Sequence, residues 1–293
     1  MKRLLKKIYT ALPFKKNIFL FLKLFFKFPH SVYQHLYFRG FFKVKLDLQH
    51  SFEIFHPGTI EENDIFWNGI YNGWERKSMA IWIDLVKGSN KTILDIGANT
   101  GLYGLVAQSL NPSHTIHSFE PLPGVFKILQ QNIERNKFNI KAHLFGLSDY
   151  DGKATVYLPE TTDFAYSVSV NKNTFFRKNV IETPIDVKRL STFIQENNIT
   201  SIDLIKMDVE THEVHVLNGM GEYLKRFKPT FIIEVLEEEI AEKLNELFKD
   251  MGYLYFNIDD KNNSVRQTER ITKSDYWNFL VCNEATAKKL NLI

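Results

Sequence analysis

Apolar residues occur in short bursts from about residue 90 onward, each broken by glycine, proline or polar residues. Thr92-Ile93-Leu94-Asp95-Ile96 is such a burst, the pattern of a strand buried on both faces. It breaks at Gly97-Ala98-Asn99-Thr100-Gly101. Leu102 to Ala107 then follows with the apolar spacing of a helix. Further strands are expected at Thr115 to Pro121, Ile140 to Leu147, Ile202 to Glu210 and Thr230 to Val235. Gly252 to Ile258 and Trp277 to Cys282 close the set, and helices are expected over Phe126 to Asn136 and Leu236 to Met251. Strands joined by helices in this order imply an α/β fold, a mainly parallel doubly wound sheet covered on both faces. Residues 150–187 interrupt the alternation. Asp151-Gly152 is a turn, while Lys153 to Leu158 and Ser167 to Val170 have strand character, so an inserted β-hairpin or lid is expected.

Upstream, His50 to His56 alternates weakly as a strand does, and Pro57-Gly58 is a turn. Gly73-Trp74-Glu75 leads into a helix with Met79, Ile81, Trp82, Leu85 and Val86 on its apolar face, ended by Gly88-Ser89-Asn90. The pattern divides the chain into a basic amphipathic N-terminal helical extension (1–46), a cap segment (47–90) and a main domain (91–293).

Charge sets the extension apart. Before Asp47 there is no acidic residue, and eleven of the 37 Lys and Arg lie there; 26 basic and 34 acidic residues remain downstream. Within Asn17 to Pro29 the surface is Phe, Leu and Ile, and Lys16, Lys23 and Lys27 share one helical face. No uncharged stretch approaches the roughly 18 residues that a spanning helix needs. Two readings of residues 1–28 stay open: a helix lying in an anionic membrane interface, or a cap on the domain with its lysines in water. The lone Cys282 rules out an internal disulfide and permits a reducing compartment. The expected location is the cytoplasm, at the inner face of a membrane on the first reading. A net-acidic main domain argues against nucleic acid as a partner.

The glycine turn carries the first chemical signal. Its spacing is Gly97-x-x-x-Gly101-x-x-Gly104, not the G-x-G-x-x-G of dinucleotide folds, and Asp95 stands just before it. A carboxylate there repels a pyrophosphate and suits a cation such as the amino group of S-adenosylmethionine (SAM); the bland alternative is that Asp95 caps the helix. Glu120 ends the next strand about 20 residues on, where an acid takes ribose hydroxyls. Ser148-Asp149 follows the third strand, in position to meet the adenine.

These segments resemble the FkbM family of SAM-dependent methyltransferases. The resemblance runs from about Gly73 to Cys282. It rests on Leu94 to Gly101, Phe119-Glu120-Pro121, and Ile205-Lys206-Met207-Asp208-Val209-Glu210 followed by Glu213, with Gly73-Trp74-Glu75 and Ile232-Ile233-Glu234 in support. It implies a Rossmann-like class I methyltransferase fold and SAM as cofactor. The implied cofactor contacts are Glu75, Asp95, Gly97, Ala98, Asn99, Gly101, Glu120, Pro121, Ser148, Asp149 and Asp208. Relatives methylate hydroxyls on sugars, polyketides and other small molecules. The family often has Gly-Ala where this chain has Thr211-His212.

Ligands of open α/β sheets bind at the carboxyl ends of the strands, where Asp95, Glu120, Asp208, Glu210 and Glu234 are all expected. Methyl transfer from a sulfonium to oxygen needs an aligned nucleophile and a proton acceptor. Glu210 is the first candidate base, with His212 and Asp208 as alternatives; Lys206 is expected to pair with a carboxylate. Asp208 and Glu234 on neighbouring strands form an incomplete ligand set, so no metal is expected. The function expected is O-methylation of a hydroxyl on a glycan or other small molecule. An N-methyltransferase on the same fold, or an inactive membrane-associated SAM-binding protein, are the alternatives.

Overall fold

The apolar bursts become buried strands, and the sheet they form can be followed in a computed structural model that describes residues 13–88, 92–159 and 180–293. The strands are β1 (Gly40–Lys45), β2 (Ser51–His56), β3 (Thr92–Ile96), β4 (Thr115–Phe119), β5 (Ile140–His143), β6 (Gly146–Ser148) and β7 (Gly152–Pro159). They continue as β8 (Val180–Arg189), β9 (Leu204–Met207), β10 (Thr230–Glu234), β11 (Leu254–Asp259), β12 (Ser264–Thr268) and β13 (Asn278–Cys282). Eight of them form the central sheet in the order β12-β11-β13-β10-β9-β3-β4-β5. Strands β5, β4, β3, β9 and β10 run parallel, and β13 runs against both β10 and β11.

Side chains alternate between two cores, as period-2 geometry requires. On β10, Phe231 and Ile233 join Leu217 and Leu244 on one face. Ile232 joins Leu105 and Trp82 on the other. The chain leaves β3 toward β4 and β5, then returns to β9 on the other side. The carboxyl ends of β3 and β9 therefore flank the crevice at the topological switch point. With this strand order the fold is the Rossmann-like α/β class expected.

Several local expectations change. Ile140 to Leu147 is not one strand: β5 stays in the main sheet, while β6 leaves it to pair with β8 in a separate sheet of order β6-β8-β7. Alternation reports which face a residue occupies and is silent on a change of partner strand. The inserted hairpin exists as β7 paired with β8. The strand expected at Ser167–Val170 lies outside the described residues, as do Ser89, Asn90 and the first twelve residues of the extension. Strand β12 carried no apolar signal because it is a half-exposed polar strand at the sheet edge.

The expected boundary at 46/47 falls inside a hairpin, because β1 pairs with β2 from Gly40↔His56 to Lys45↔Ser51. Beside it, helix Lys15–Phe25 packs Phe19 against Trp67 with ring centroids 5.4 Å apart, and Phe38 and Phe42 pack on Phe66 at 4.8 and 5.5 Å. Phe19, Phe52 and Leu105 share one core, so the N-terminal segments extend the sheet's packing on one face. Lys23, expected on a face of lysines turned to water or headgroups, instead points inward. Its Nζ donates to the Phe66 carbonyl and lies 4.6 Å from that ring's centroid, and burial lowers its pKa.

Candidate active site

At the switch point two loops touch. Gly97 and Ala98 both donate N–H to the Phe119 carbonyl, and Asp208 N donates to the Ile96 carbonyl, so the ends of β3, β4 and β9 are laced together. Gly97 has φ +77°, and a Cβ there would stand 1.8 Å from the Asp208 carbonyl oxygen. Only glycine allows that approach. Gly101, at φ +91°, opens helix Leu102–Leu110 and leaves no room for a Cβ against Leu129.

Asp95 does not reach the crevice. It is buried beneath the turn, and its Oδ2 accepts from Gly104 N at 3.0 Å, satisfying an otherwise free donor in the first turn of the helix. Burial pushes its carboxyl up to about 7. The bland reading of Asp95 as a helix cap is thus what the geometry displays, and the contact expected with a ligand's amino group is absent from the cavity wall.

Glu120 does face the crevice. One oxygen accepts from Asn99 N at 3.1 Å and the other from Leu122 N at 2.9 Å, which fixes the carboxylate while leaving lone pairs for a ligand. Burial pushes it up to about 7. Asn99 (φ +49°) lies alongside, its Oδ1 buried without a partner. These groups line a cavity of about 290 Å³ together with Gly97, Pro121, Gly146 and Leu147. Ala98 and Gly101 shape the turn from behind and do not line the cavity.

Ser148 and Asp149, expected near the adenine, also stand outside it. Ser148 Oγ is 3.0 Å from His212 Nε2, and Asp149 Oδ2 is 2.9 Å from His215 Nδ1. Their backbone neighbours Gly146 and Leu147 form that wall instead. The cavity's roof was missed in detail: Ala154 and Val156 of β7 and Ile185 and Val187 of β8 close over it. The period-2 pattern in Lys153 to Leu158 held that signal. Glu61, Trp74 and Trp277 were missed as well. Burial, then the neighbouring Glu62, pushes Glu61 up to about 7. Glu62 itself accepts from the Thr100 hydroxyl at 2.6 Å, tying the N-terminal cap to the glycine turn.

Much of the cavity's lining is acidic. Glu75, Asp208, Glu210 and Glu234 all belong to it. Glu75, Asp208 and Glu234 each offer an oxygen within 4.8 Å of the others, so the third acid that the sequence lacked comes from Glu75, in the cap segment. Glu75 sits at φ +48° and accepts from Tyr103 Oη and Asn278 Nδ2, both at 2.7 Å. Such a trio could hold a divalent cation, but a cation is already built in. Lys206 Nζ lies 3.4 Å from Asp208 Oδ2 and 5.1 Å from the centroid of Tyr103. Burial pulls the Lys206 ammonium down, and the charges of Asp208, Glu75, Glu234 and Asp95 outweigh it, holding the group charged. Burial, with Asp208 next, pushes the Glu234 carboxyl well up. Lys206 is buried beside these acids and does not line the cavity.

Glu210 stands in a tight turn, at φ +52° with Thr211 at +77°. Left-handed backbone at a β-branched residue is strained, and this is the place where the family often has glycine. Glu213 holds the turn, accepting from Val209 N and Thr211 N at 3.4 and 3.3 Å, while burial pushes its own carboxyl up to about 8. His212 lines the cavity and stacks on His215 with centroids 4.5 Å apart. Burial, then the His215 charge, pushes it down to about 4, so it is neutral at physiological pH and a weak base.

The residues fit an adenosyl sulfonium. A fixed carboxylate suits ribose hydroxyls, an orphaned Asn99 oxygen is ready for a donor, and the acidic lining complements positive charge.

Comparisons agree with this geometry. A family model described as "Methyltransferase FkbM domain" matches residues 95–255. The chain is similar to Methyltransferase 1 of Beauveria bassiana, at 34% identity over 44% of this chain and 58% of that protein. It is similar to the 31-O-demethyl-FK506 methyltransferase FkbM of Streptomyces tacrolimicus, at 28% identity over 44% and 58%. A third relative is the hexuronic acid methyltransferase AglP of Haloferax volcanii, at 25% identity over 45% and 50%. The chain thus spans little more than half the length of these curated relatives. With a family model matching over half of its length and a switch-point cavity suited to SAM, the chain belongs to the FkbM family of SAM-dependent methyltransferases.

Proposed function

We propose that the protein is an O-methyltransferase whose acceptor is a hydroxyl on a glycan or other small molecule. The observation that carries this reading is the acidic lining of the cavity, to which Glu210, Asp208, Glu75 and Glu234 contribute along with Glu120. Two relatives named as a 31-O-demethyl-FK506 methyltransferase and a hexuronic acid methyltransferase support the acceptor class. SAM, when bound, supplies an electrophilic methyl group on a sulfonium. Glu120 holds the ribose hydroxyls, and Asp208 with Glu75 is the partner proposed for the amino group in place of Asp95. Glu210 takes the proton of the acceptor hydroxyl as its oxygen approaches the methyl group. The apolar roof from β7 and β8 excludes water, which strengthens the electrostatics inside and limits competing hydrolysis. The proposed place of work is the cytoplasm; among the described residues, no helix is long and apolar enough to cross a membrane.

Methyl-labelled SAM incubated with the enzyme and fractionated cellular glycans, lipids and small metabolites tests the acceptor. Label in a base-stable methyl ether is expected. Label in an N-methyl group establishes the nitrogen reading. No label in any fraction, with S-adenosylhomocysteine still bound, establishes a binding-only protein.

The role of Glu120 has its own test. Burial pushes its carboxyl up to about 7. Hydrogen bonds from ribose hydroxyls favour the charged form, so binding tightens as pH rises through that value and levels off above it. Calorimetric affinity for S-adenosylhomocysteine should rise about tenfold from roughly pH 6 to pH 8 by linkage. The dependence should flatten in Glu120→Gln. A steep pH dependence that survives in the variant removes Glu120 from the ribose.

A further inference from the structure

We infer that the outward face of helix Lys15–Phe25 docks on an anionic membrane surface, and that the helix is bound to its own domain and to the membrane at once. The sequence posed these as alternatives. The structure shows a helix that is inside out for a cap in water. Its inward side carries Phe19, 3% exposed, and Lys23, whose ammonium is turned onto Phe66. Its outward side carries Phe21, Leu24 and Phe25, at 61, 76 and 66% exposed, with Phe14 at 76% before it and Phe26 at 56% after it.

A cap helix in water places lysine outward and phenylalanine inward. Here a lysine is partly desolvated, while at least five large apolar side chains face out. Such a cluster of exposed apolar groups marks a surface meant to be covered. The charge around it selects the cover. The helix has no acidic residue, Lys27 follows it on the exposed surface, and no acid precedes Asp47 anywhere in the chain. Aromatic and leucine side chains on a helix that carries no acid and is followed by exposed Lys27 match anionic headgroups over hydrocarbon. This inference stands on the N-terminal face alone and is independent of the reaction assigned to the cavity.

The test is co-sedimentation of the full chain with phosphatidylcholine vesicles, with and without about one-third phosphatidylglycerol. The variant is Phe21→Ser/Leu24→Ser/Phe25→Ser, which changes only outward side chains and leaves Phe19 and Lys23 in place. The full chain should sediment with the anionic vesicles, less with the neutral ones, and less again at high salt without reaching zero. The variant's partition constant should fall at least about a hundredfold, since each buried phenylalanine or leucine contributes about tenfold or more. Its affinity for S-adenosylhomocysteine and its melting temperature should be unchanged. Vesicle binding that is equal for the two proteins overturns the inference. So does a full chain that ignores both vesicle types and instead forms a dimer, dispersed by the same substitutions, which assigns the face to a second copy. Loss of S-adenosylhomocysteine binding in both proteins overturns the cavity's assignment and leaves the vesicle result to stand by itself.

Discussion

Glu210→Gln should lower kcat by about 10²–10⁴-fold, the range for losing a general base, while affinity for S-adenosylhomocysteine stays at the wild-type value. His212 and Asp208 are the weaker candidates. His212 is held by Ser148 and pushed down to about 4 by burial. Asp208 faces the Lys206 ammonium at 3.4 Å. Glu210 lines the cavity on a turn whose left-handed backbone is pinned by Glu213, so its loop is fixed. Glutamine keeps that shape and removes the proton acceptor. Single-turnover methyl transfer to the labelled acceptor, with calorimetry on the same protein, separates chemistry from binding. Wild-type turnover in the variant transfers the role to Asp208.

Lys206→Met should destabilise the fold by roughly 3 kcal/mol, the lower end of the range for removing one partner of a buried ion pair. The lower end applies because the Asp208 side chain is 34% exposed and keeps some contact with water. What remains after the substitution is Glu75, Asp208 and Glu234 within 4.8 Å, with no cation among them. Burial already raises the Glu75 and Glu234 carboxyls. Their protonated forms are therefore favoured in the folded state. The variant's deficit should shrink as pH falls and grow as pH rises. Urea unfolding across pH measures this. Lys206→Met/Glu234→Gln, which removes one of the stranded acids, should recover part of the loss. A single-variant deficit below about 1 kcal/mol, the scale of an exposed pair, refutes the account of Lys206 as the site's internal counter-charge.

Some of this was legible from local pattern alone. Thr92–Ile96 and Thr230–Glu234 read as buried strands because unbroken apolar runs have few other uses at that length. The glycine turn read correctly because Gly97 answers a backbone demand that sequence spacing encodes directly. Glu120 and Asp208 follow the ends of β4 and β9 and line the cavity, as residues at a switch point commonly do. The direction of the Asp95 side chain was not legible, for a physical reason. One residue of the same strand can point its carboxylate into the crevice or under the turn, and which occurs depends on a free N–H nine residues later, at Gly104.

The strands and the glycine turn were therefore legible in the chain, since each rests on residues close in sequence or on a repeating period, while the family and its cofactor were legible as a resemblance of motifs. The tertiary structure decided what depends on distant segments meeting. It brought Glu75 to Asp208 and Glu234 across more than a hundred residues, closed β7 and β8 over the cavity, and split Ile140–Leu147 between two sheets. It also decided which way the N-terminal helix faces. Periodicity shows that Lys16, Lys23 and Lys27 share a side, but the packing of Phe19 against Trp67 turns Lys23 of that side inward and leaves Phe21, Leu24 and Phe25 outside. A helix's two faces are written in its spacing, whereas the choice between them belongs to the surface it packs against.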